Sequence, residues 1–229
     1  MVKRNRWMSL PLALMVVALW ADLLGAPDDR TLGPSQRIFY MHMAAATVAA
    51  IAFTVTLMAS LAYLVSRNRR YDIWAAASAE LGTIFTSMIL LSGVLWGRVA
   101  WGVWWTWDPR LTATLILWVL FTGYLLWRQA IDDPDRRARV SAVLAVVAYI
   151  DVPIDYMTIR WWRSIHPVVI TAHGIHMAPS MIGAMAISQV AMLGLYVSWM
   201  VIRVTLLRCE YEMDAIKNHI RMQINGKGV

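Results

Sequence analysis

Five of the chain's thirteen tryptophans lie within twelve positions: Trp96, Trp101, Trp104, Trp105 and Trp107. Gly97 and Gly102 are interleaved with them, so the segment 96–112 presents a shelf of flat apolar surface. One reading is an aromatic belt at the membrane headgroup level, although a belt spreads its rings over all helix ends. The other is a platform for a large planar ligand, which gains area burial and stacking against indole. Two histidines bear on the choice. His42 closes Arg37-Ile38-Phe39-Tyr40-Met41-His42, and His166 stands in Trp161-Trp162-Arg163-Ser164-Ile165-His166-Pro167. Taken singly, each reads first as a hydrogen-bonded structural residue. Taken together, imidazoles from two segments are able to bind iron from both faces of a porphyrin. Arg98, Arg110, Arg160 and Arg163 are candidates for pairing its carboxylates, since guanidinium matches carboxylate in bidentate fashion. Each is also readable as a topology or headgroup residue.

The remaining polar residues say less. His173 and His176, three apart, fit one face of a helix, but no carboxylate or cysteine accompanies them to make a metal site. His219 reads as solvated. Asp151 and Asp155 flank Pro153, and acids inside a membrane are costly enough to count as functional candidates. Asp151 is expected to face the bundle and pair with a polar neighbour, and Asp155 to lie near the outer surface. Cys209 is the single cysteine, so neither a CxxC redox pair nor a CxxCH haem-attachment motif exists. There is no Gly-rich phosphate loop and no constellation for bond-making catalysis, which points to a binding protein rather than an enzyme.

The elements that position these residues follow from composition. The chain is 59% apolar and 15% charged, whereas a soluble domain carries about 25% charge. The net charge of +7 does not indicate nucleic acid, because the basic residues fall between apolar runs. Six apolar stretches, near 7–26, 38–66, 73–95, 111–127, 140–159 and 178–207, are each long enough to cross about 30 Å of hydrocarbon. The expected fold is therefore an all-α integral membrane protein, a six-transmembrane-helix bundle over 1–207 with a solvated tail over 208–229. The stretch 38–66 would span about 44 Å, so it should tilt or project. The first stretch reads as an uncleaved helix rather than a signal peptide, because Leu24-Gly25-Ala26-Pro27 makes a poor cleavage site. Fifteen of the 21 Lys and Arg fall in segments 1–6, 67–72, 128–139 and 203–229. The positive-inside rule then puts both termini in the cytoplasm and the tryptophans on the outer face.

The run Trp101-Gly102-Val103-Trp104-Trp105-Thr106-Trp107-Asp108, followed by Arg110-Leu111-Thr112, resembles the tryptophan-rich "WWD" motif of haem-handling proteins. The segments Arg37-Ile38-x-Tyr40-x-His42 and Trp161-Trp162-x-x-x-His166 are similar to the two histidine segments of the cytochrome c maturation protein C (CcmC) family, in the same order around the motif. The resemblance covers nearly the whole chain and matches in length and helix number. It implies haem b bound non-covalently and transiently at the outer face of the cytoplasmic membrane. It makes His42 and His166 the axial iron ligands and Trp101, Trp104, Trp105, Trp107 and Asp108 the platform, with Arg98 and Arg110 beside it. It further implies delivery to the periplasmic haem chaperone CcmE. The small membrane protein CcmD and the ABC transporter CcmA–CcmB are the implied partners, and apocytochrome c is served only indirectly. The match is weaker around Asp155 and over 167–177. Two other readings remain open: a cytochrome c synthase of the related WWD-motif family, and a non-haem membrane transporter subunit or cytochrome b.

Overall fold

The computed structural model describes residues 9–28, 33–166, 170–171, 174–175 and 179–226. Helix α1 runs Ser9–Trp20 and continues through a wider π-helical turn, Ala21–Gly25, in which the Ala26 N–H donates to the Ala21 carbonyl at 2.7 Å. Helices α2 (Gln36–Ser66), α3 (Arg69–Trp101) and α4 (Pro109–Gln129) follow. Then come α5 (Pro134–Tyr149), α6 (Asp151–Trp161) and α7 (Pro179–Gly226). Between α6 and α7, strands β1 (Ile170–Thr171) and β2 (Gly174–Ile175) pair antiparallel, Ile170 opposite Ile175. This small ribbon was not expected from the sequence.

Local chemistry sets the helix ends. The side chains of Asn68, Asp108 and Asp133 accept the backbone N–H of Arg70, Arg110 and Arg136, capping α3, α4 and α5. Pro109 and Pro134 occupy first-turn positions where no N–H is needed. Gly102, at φ 78°, closes α3 in the left-handed region that a side chain rarely adopts. The α5–α6 break lies where Pro153 removes a donor and crowds the carbonyl four residues back, so 134–161 is one bent span.

Five helices are long and apolar enough to cross a membrane: 36–66, 69–101, 109–129, 134–161 and one within α7. The sixth apolar element, Ser9–Gly25, is shorter; it reaches about 25 Å. The expected all-α membrane architecture is met, with five spans rather than six among the described residues, and two of the changed boundaries bear on the site and the tail. Helix α3 extends past 95 to Trp101, so Trp96 and Trp101 are helical and the connection to α4 is only 102–108. Helix α7 runs unbroken to Gly226, through the residues expected to be a solvated tail, because 208–217 is charged yet rich in good helix formers.

The core is built on close approach. Along α2, Ala44, Ala45, Val48, Ala49 and Ala52 are buried against α3, whose Ala75, Ala76, Ala77 and Ala79 are equally buried. Small residues let backbones approach where lipid supplies no hydrophobic drive between helices. Ser78 on α3 donates to the Ala52 carbonyl of α2 at 2.7 Å and meets the Tyr196 hydroxyl of α7 at 2.8 Å. Phe53 of α2 stacks on Phe121 of α4, with ring centroids 3.8 Å apart, and a Cβ on Gly82 would lie 2.6 Å from the Phe53 ring. Gly82→Ala should therefore destabilise the bundle by about 1–3 kcal/mol. Gly82→Ala combined with Phe53→Leu should recover most of the loss. Thermal unfolding in detergent, comparing both variants with the parent, checks this.

Candidate functional site

The two histidines and the tryptophans converge on the end of the bundle where α2 starts, α3 ends and α4 starts. His42 lies about two turns into α2, against α3. Its Nδ1 is 2.9 Å from the Ser92 hydroxyl oxygen, and a Cβ on Gly93 would come within 3.4 Å of its Cε1. A serine hydroxyl has one proton to give. Ser92 gives its proton to the Met88 carbonyl at 2.6 Å, so His42 Nδ1–H is the donor in the pair. The neutral ring then carries its lone pair on Nε2. His42 also forms one wall of an apolar cavity of ≈ 240 Å³ between α1, α2 and α3.

His166 reaches the same condition by other means. Asp108, the N-cap of α4, turns both carboxylate oxygens toward the segment after α6. Its Oδ2 accepts the Ile165 N–H at 2.9 Å. Its Oδ1 accepts the Ser164 hydroxyl at 3.0 Å and lies 3.2 Å from His166 Nδ1. Burial pushes the Asp108 carboxyl up. The bonds from Ile165, Arg110 and Ser164, with the charge at His166, outweigh burial and hold it below the ordinary carboxylate value. An ionised carboxylate only accepts, so His166 Nδ1 donates and Nε2 is left with the lone pair. Burial also pushes the His166 imidazole below its ordinary value; Asp108 pulls it up and the Arg110 charge pushes it down further. The ring is accordingly neutral near pH 7.

Tryptophans link the two histidines along α3. Trp96, 8% exposed, lies one turn beyond Ser92 and meets Trp101 edge to face, with centroids 5.0 Å apart. Trp101 in turn meets the His166 ring edge to face at 5.0 Å. The Trp96 Nε1–H is buried with no hydrogen-bond partner among the described residues. Beyond this inner row, Trp105 and Trp107 pack edge to face at 5.8 Å, and Trp107 is 75% exposed. Trp104, also exposed, lies under the Arg98 guanidinium at 5.7 Å. Trp161 and Trp162 add a further exposed edge-to-face pair at the end of α6.

The arginines separate into two uses. Arg98 donates to the Gly102 carbonyl and clasps the turn that ends α3. Arg110, by contrast, lies within coulombic range of both His42 and His166. Its Nη1 donates to the Asp155 carbonyl at 2.8 Å, and its Nε lies 3.8 Å from Asp155 Oδ1. Arg160 stays on α6, over the Tyr156 ring, and Arg163 is exposed.

Among the residues expected to act, the structure thus brings together His42, His166, Trp101, Asp108 and Arg110, and leaves the exposed Trp104 and Trp107, with the half-buried Trp105, as a shelf beside them. Asp155 lies at the expected end of the bundle and is part of this group, paired with Arg110 and largely buried. Asp151 is half-buried but lacks the expected polar partner: its Oδ2 is buried and meets no hydrogen-bond partner among the described residues. Ser92 and Ser164, which fix the two imidazoles, were missed. Transmembrane serines commonly bond back to their own helix, so nothing in the sequence marks one as a histidine's partner. His173 and His176 lie outside the described residues. Among the described residues no cluster of three His, Cys, Asp or Glu could hold a metal ion.

Asp108→Ser should keep an oxygen that caps α4 but withdraw the reach to Ile165 and His166. We expect near-parental thermal stability together with loss of the fixed Nδ1–H tautomer at His166, read by nitrogen NMR of histidine-labelled protein. An unchanged tautomer would show that Asp108 does not orient the ring.

Residues 3–218 match a family profile described as Heme exporter protein C. The chain is 42% identical over 154 residues to the heme exporter protein C of Bradyrhizobium diazoefficiens, covering 67% of this chain and 58% of that protein. It is 31% identical over 161 residues to the Escherichia coli protein of the same name, covering 70% and 66%. Against the Rhodobacter capsulatus protein the figures are 34% over 156 residues, 68% and 64%. The aligned region spans less than two thirds of the length of these relatives.

Proposed function

Since the chain belongs to the heme exporter protein C family, we propose that it binds haem at the tryptophan end of the bundle and presents it to a periplasmic haem chaperone for cytochrome c biogenesis. The observation that carries this reading is the matched state of two imidazoles. His42 and His166 sit on separate segments of one bundle end, each with Nδ1 committed as a donor and Nε2 left with a lone pair. Such second-shell bonds are how proteins fix the tautomer and raise the basicity of a metal-ligating histidine. His42 from α2 and His166 from the loop after α6 are the two axial ligands in this reading.

The rest of the site suits the cargo. Trp101, the exposed Trp104 and Trp107 and the half-buried Trp105 offer indole surface to a porphyrin, and the Trp96 N–H is a buried donor without a partner among the described residues. Arg98 and Arg110 supply positive charge for propionates. Asp108 acts through His166 and not on the cargo directly. The cargo is haem b, held non-covalently; no cysteine pair is present to attach it. The site faces outward from the inner membrane in this reading, with both termini cytoplasmic, as the distribution of Lys and Arg favours. Residues 1–207 form the haem-handling unit, while 208–226 continue α7 on the inner side. The partners are the chaperone CcmE, the small membrane protein CcmD and the ABC transporter CcmA–CcmB.

Release has a built-in order on this reading. His42 is anchored inside a long helix, whereas His166 rides on a loop held by Asp108. Loosening the loop frees one ligand position while the other still holds. The absorption spectrum of purified protein loaded with haem, compared with His42→Ala and His166→Ala, is the test. A low-spin bis-imidazole spectrum that either substitution alters or abolishes is the expected result. Colourless parent protein, or an unaltered spectrum in both variants, would remove the axial-ligand assignment.

A further inference from the structure

Arg110 is the one site cation whose charge bears on both histidines, and its position is set from α6. Two atoms of Asp155 face it: the carbonyl oxygen, which accepts from Nη1 at 2.8 Å, and Oδ1, 3.8 Å from Nε. Asp155 is itself fixed on both sides. Its Oδ1 accepts the Thr114 hydroxyl at 2.9 Å, one helical turn along α4 from Arg110, and its carbonyl also accepts the Thr158 hydroxyl at 2.6 Å. The side chains of Arg110 and Asp155 are 24% and 15% exposed, so the pair is sheltered without being sealed. Nη2 donates to nothing among the described residues.

From this geometry we propose that Asp155 is a positioning residue. It holds the Arg110 guanidinium at the histidine end of α4, with Nη2 unused among the described residues, and thereby makes the site selective for a porphyrin with free carboxylates. The inference rests on the haem reading above and adds a specificity determinant from α6. Two physical arguments support it. A guanidinium at membrane depth needs a counter-charge, and a lone arginine there would turn toward water or headgroups. Asp155 supplies that charge, with Thr114 keeping the carboxylate on the Arg110 side. Furthermore, only part of the five-donor fork is used by Asp155, so a ligand carboxylate adds to the pair and does not have to displace it. An arginine already held in its binding rotamer loses less freedom when the ligand arrives.

The test compares haem with its dimethyl ester, which keeps iron, ring and vinyl groups but has no carboxylate. Both are titrated into the detergent-solubilised full chain and followed by the axial-ligand spectrum. The parent should prefer haem by about tenfold or more, the size expected of one charge-assisted contact. Arg110→Gln should bring the preference to about onefold. Asp155→Asn should reduce it at least about threefold while leaving ester binding unchanged, and Asp155→Glu should restore it. Thr114→Val, which leaves every charge in place, should shift the preference in the same direction by less.

An Asp155→Asn protein with the parental preference, or a larger one, overturns the proposal. So does a parent that binds haem and ester equally with the same bis-imidazole spectrum, and that result leaves the haem reading intact. A parent that binds neither compound overturns both. A loss of haem and ester binding together in Asp155→Asn, unrescued by Asp155→Glu, assigns the residue to the fold and overturns the positioning role.

Discussion

The carboxylate of Asp108 joins three parts of the molecule. It caps α4 through the Arg110 N–H, takes the Ile165 N–H and the Ser164 hydroxyl from the segment after α6, and lies against His166 Nδ1. Irregular backbone near a membrane is tolerated only when its polar groups find partners. One ionised side chain provides several of those partners at once. Four contacts of this kind are also what keep the carboxylate ionised against its burial. The position of Trp101 depends on the same arrangement, because its indole packs against the ring that Asp108 orients. Fold and site are therefore not separable here: the residue that starts α4 is the residue that prepares the imidazole.

Charge is used differently at the two ends of the bundle. At the end remote from the tryptophans, Arg128 grips Asp72 through two bonds of 2.7 Å, and Arg203 is paired with Glu80. These pairs join α3 to α4 and to α7, and the donors that face the partner carboxylate are used within the protein. Removing one member of such a buried pair leaves an uncompensated charge, which is far more costly than losing the pair as a whole. At the tryptophan end Arg37 is closely paired with Asp28 at 2.8 Å, but the Arg110 pair is looser. Arg110 Nε stands 3.8 Å from its carboxylate, and Nη2 is unused among the described residues. Closed pairs hold helices together, whereas open ones leave donors for something else.

Much of this was legible in the sequence, for identifiable reasons. Apolar length located the helices, and the Trp101–Asp108 run and the two histidine segments, singled out by residue type, lie together at one end of the bundle. What hydropathy misread were helix ends. It stopped α3 before Trp96, because tryptophan and glycine look like interface residues, although the helix closes only at Gly102. It stopped α7 where charge begins, although Glu, Met, Ala and Lys continue a helix as readily in water as Leu does in lipid. Pro153 was in plain view, but its effect was not: the helix breaks between α5 and α6 beside it, and Asp155 of α6 meets Arg110, forty-five residues earlier in the chain. Ser92, Ser164 and Thr114 were illegible, since a hydroxyl's partner is decided by tertiary packing alone.

The two imidazoles end in the same chemical state by routes of unequal strength, and this inequality suits a transient cargo. His42 is oriented by a serine whose own proton is fixed on the α3 backbone, so its ring is a property of the most closely packed helix pair in the bundle. His166 is oriented by a carboxylate acting on a loop, with α6 ending five residues before it. A ligand shared by both, as proposed, would thus be held by one position that changes only if α2 and α3 separate, and by another that changes when a few hydrogen bonds to Asp108 are exchanged. Tight retention and ready release make opposite demands on a single rigid pocket. Dividing them between a helix and a loop lets the two demands be met by different residues, at the cost of making the loop's one carboxylate indispensable.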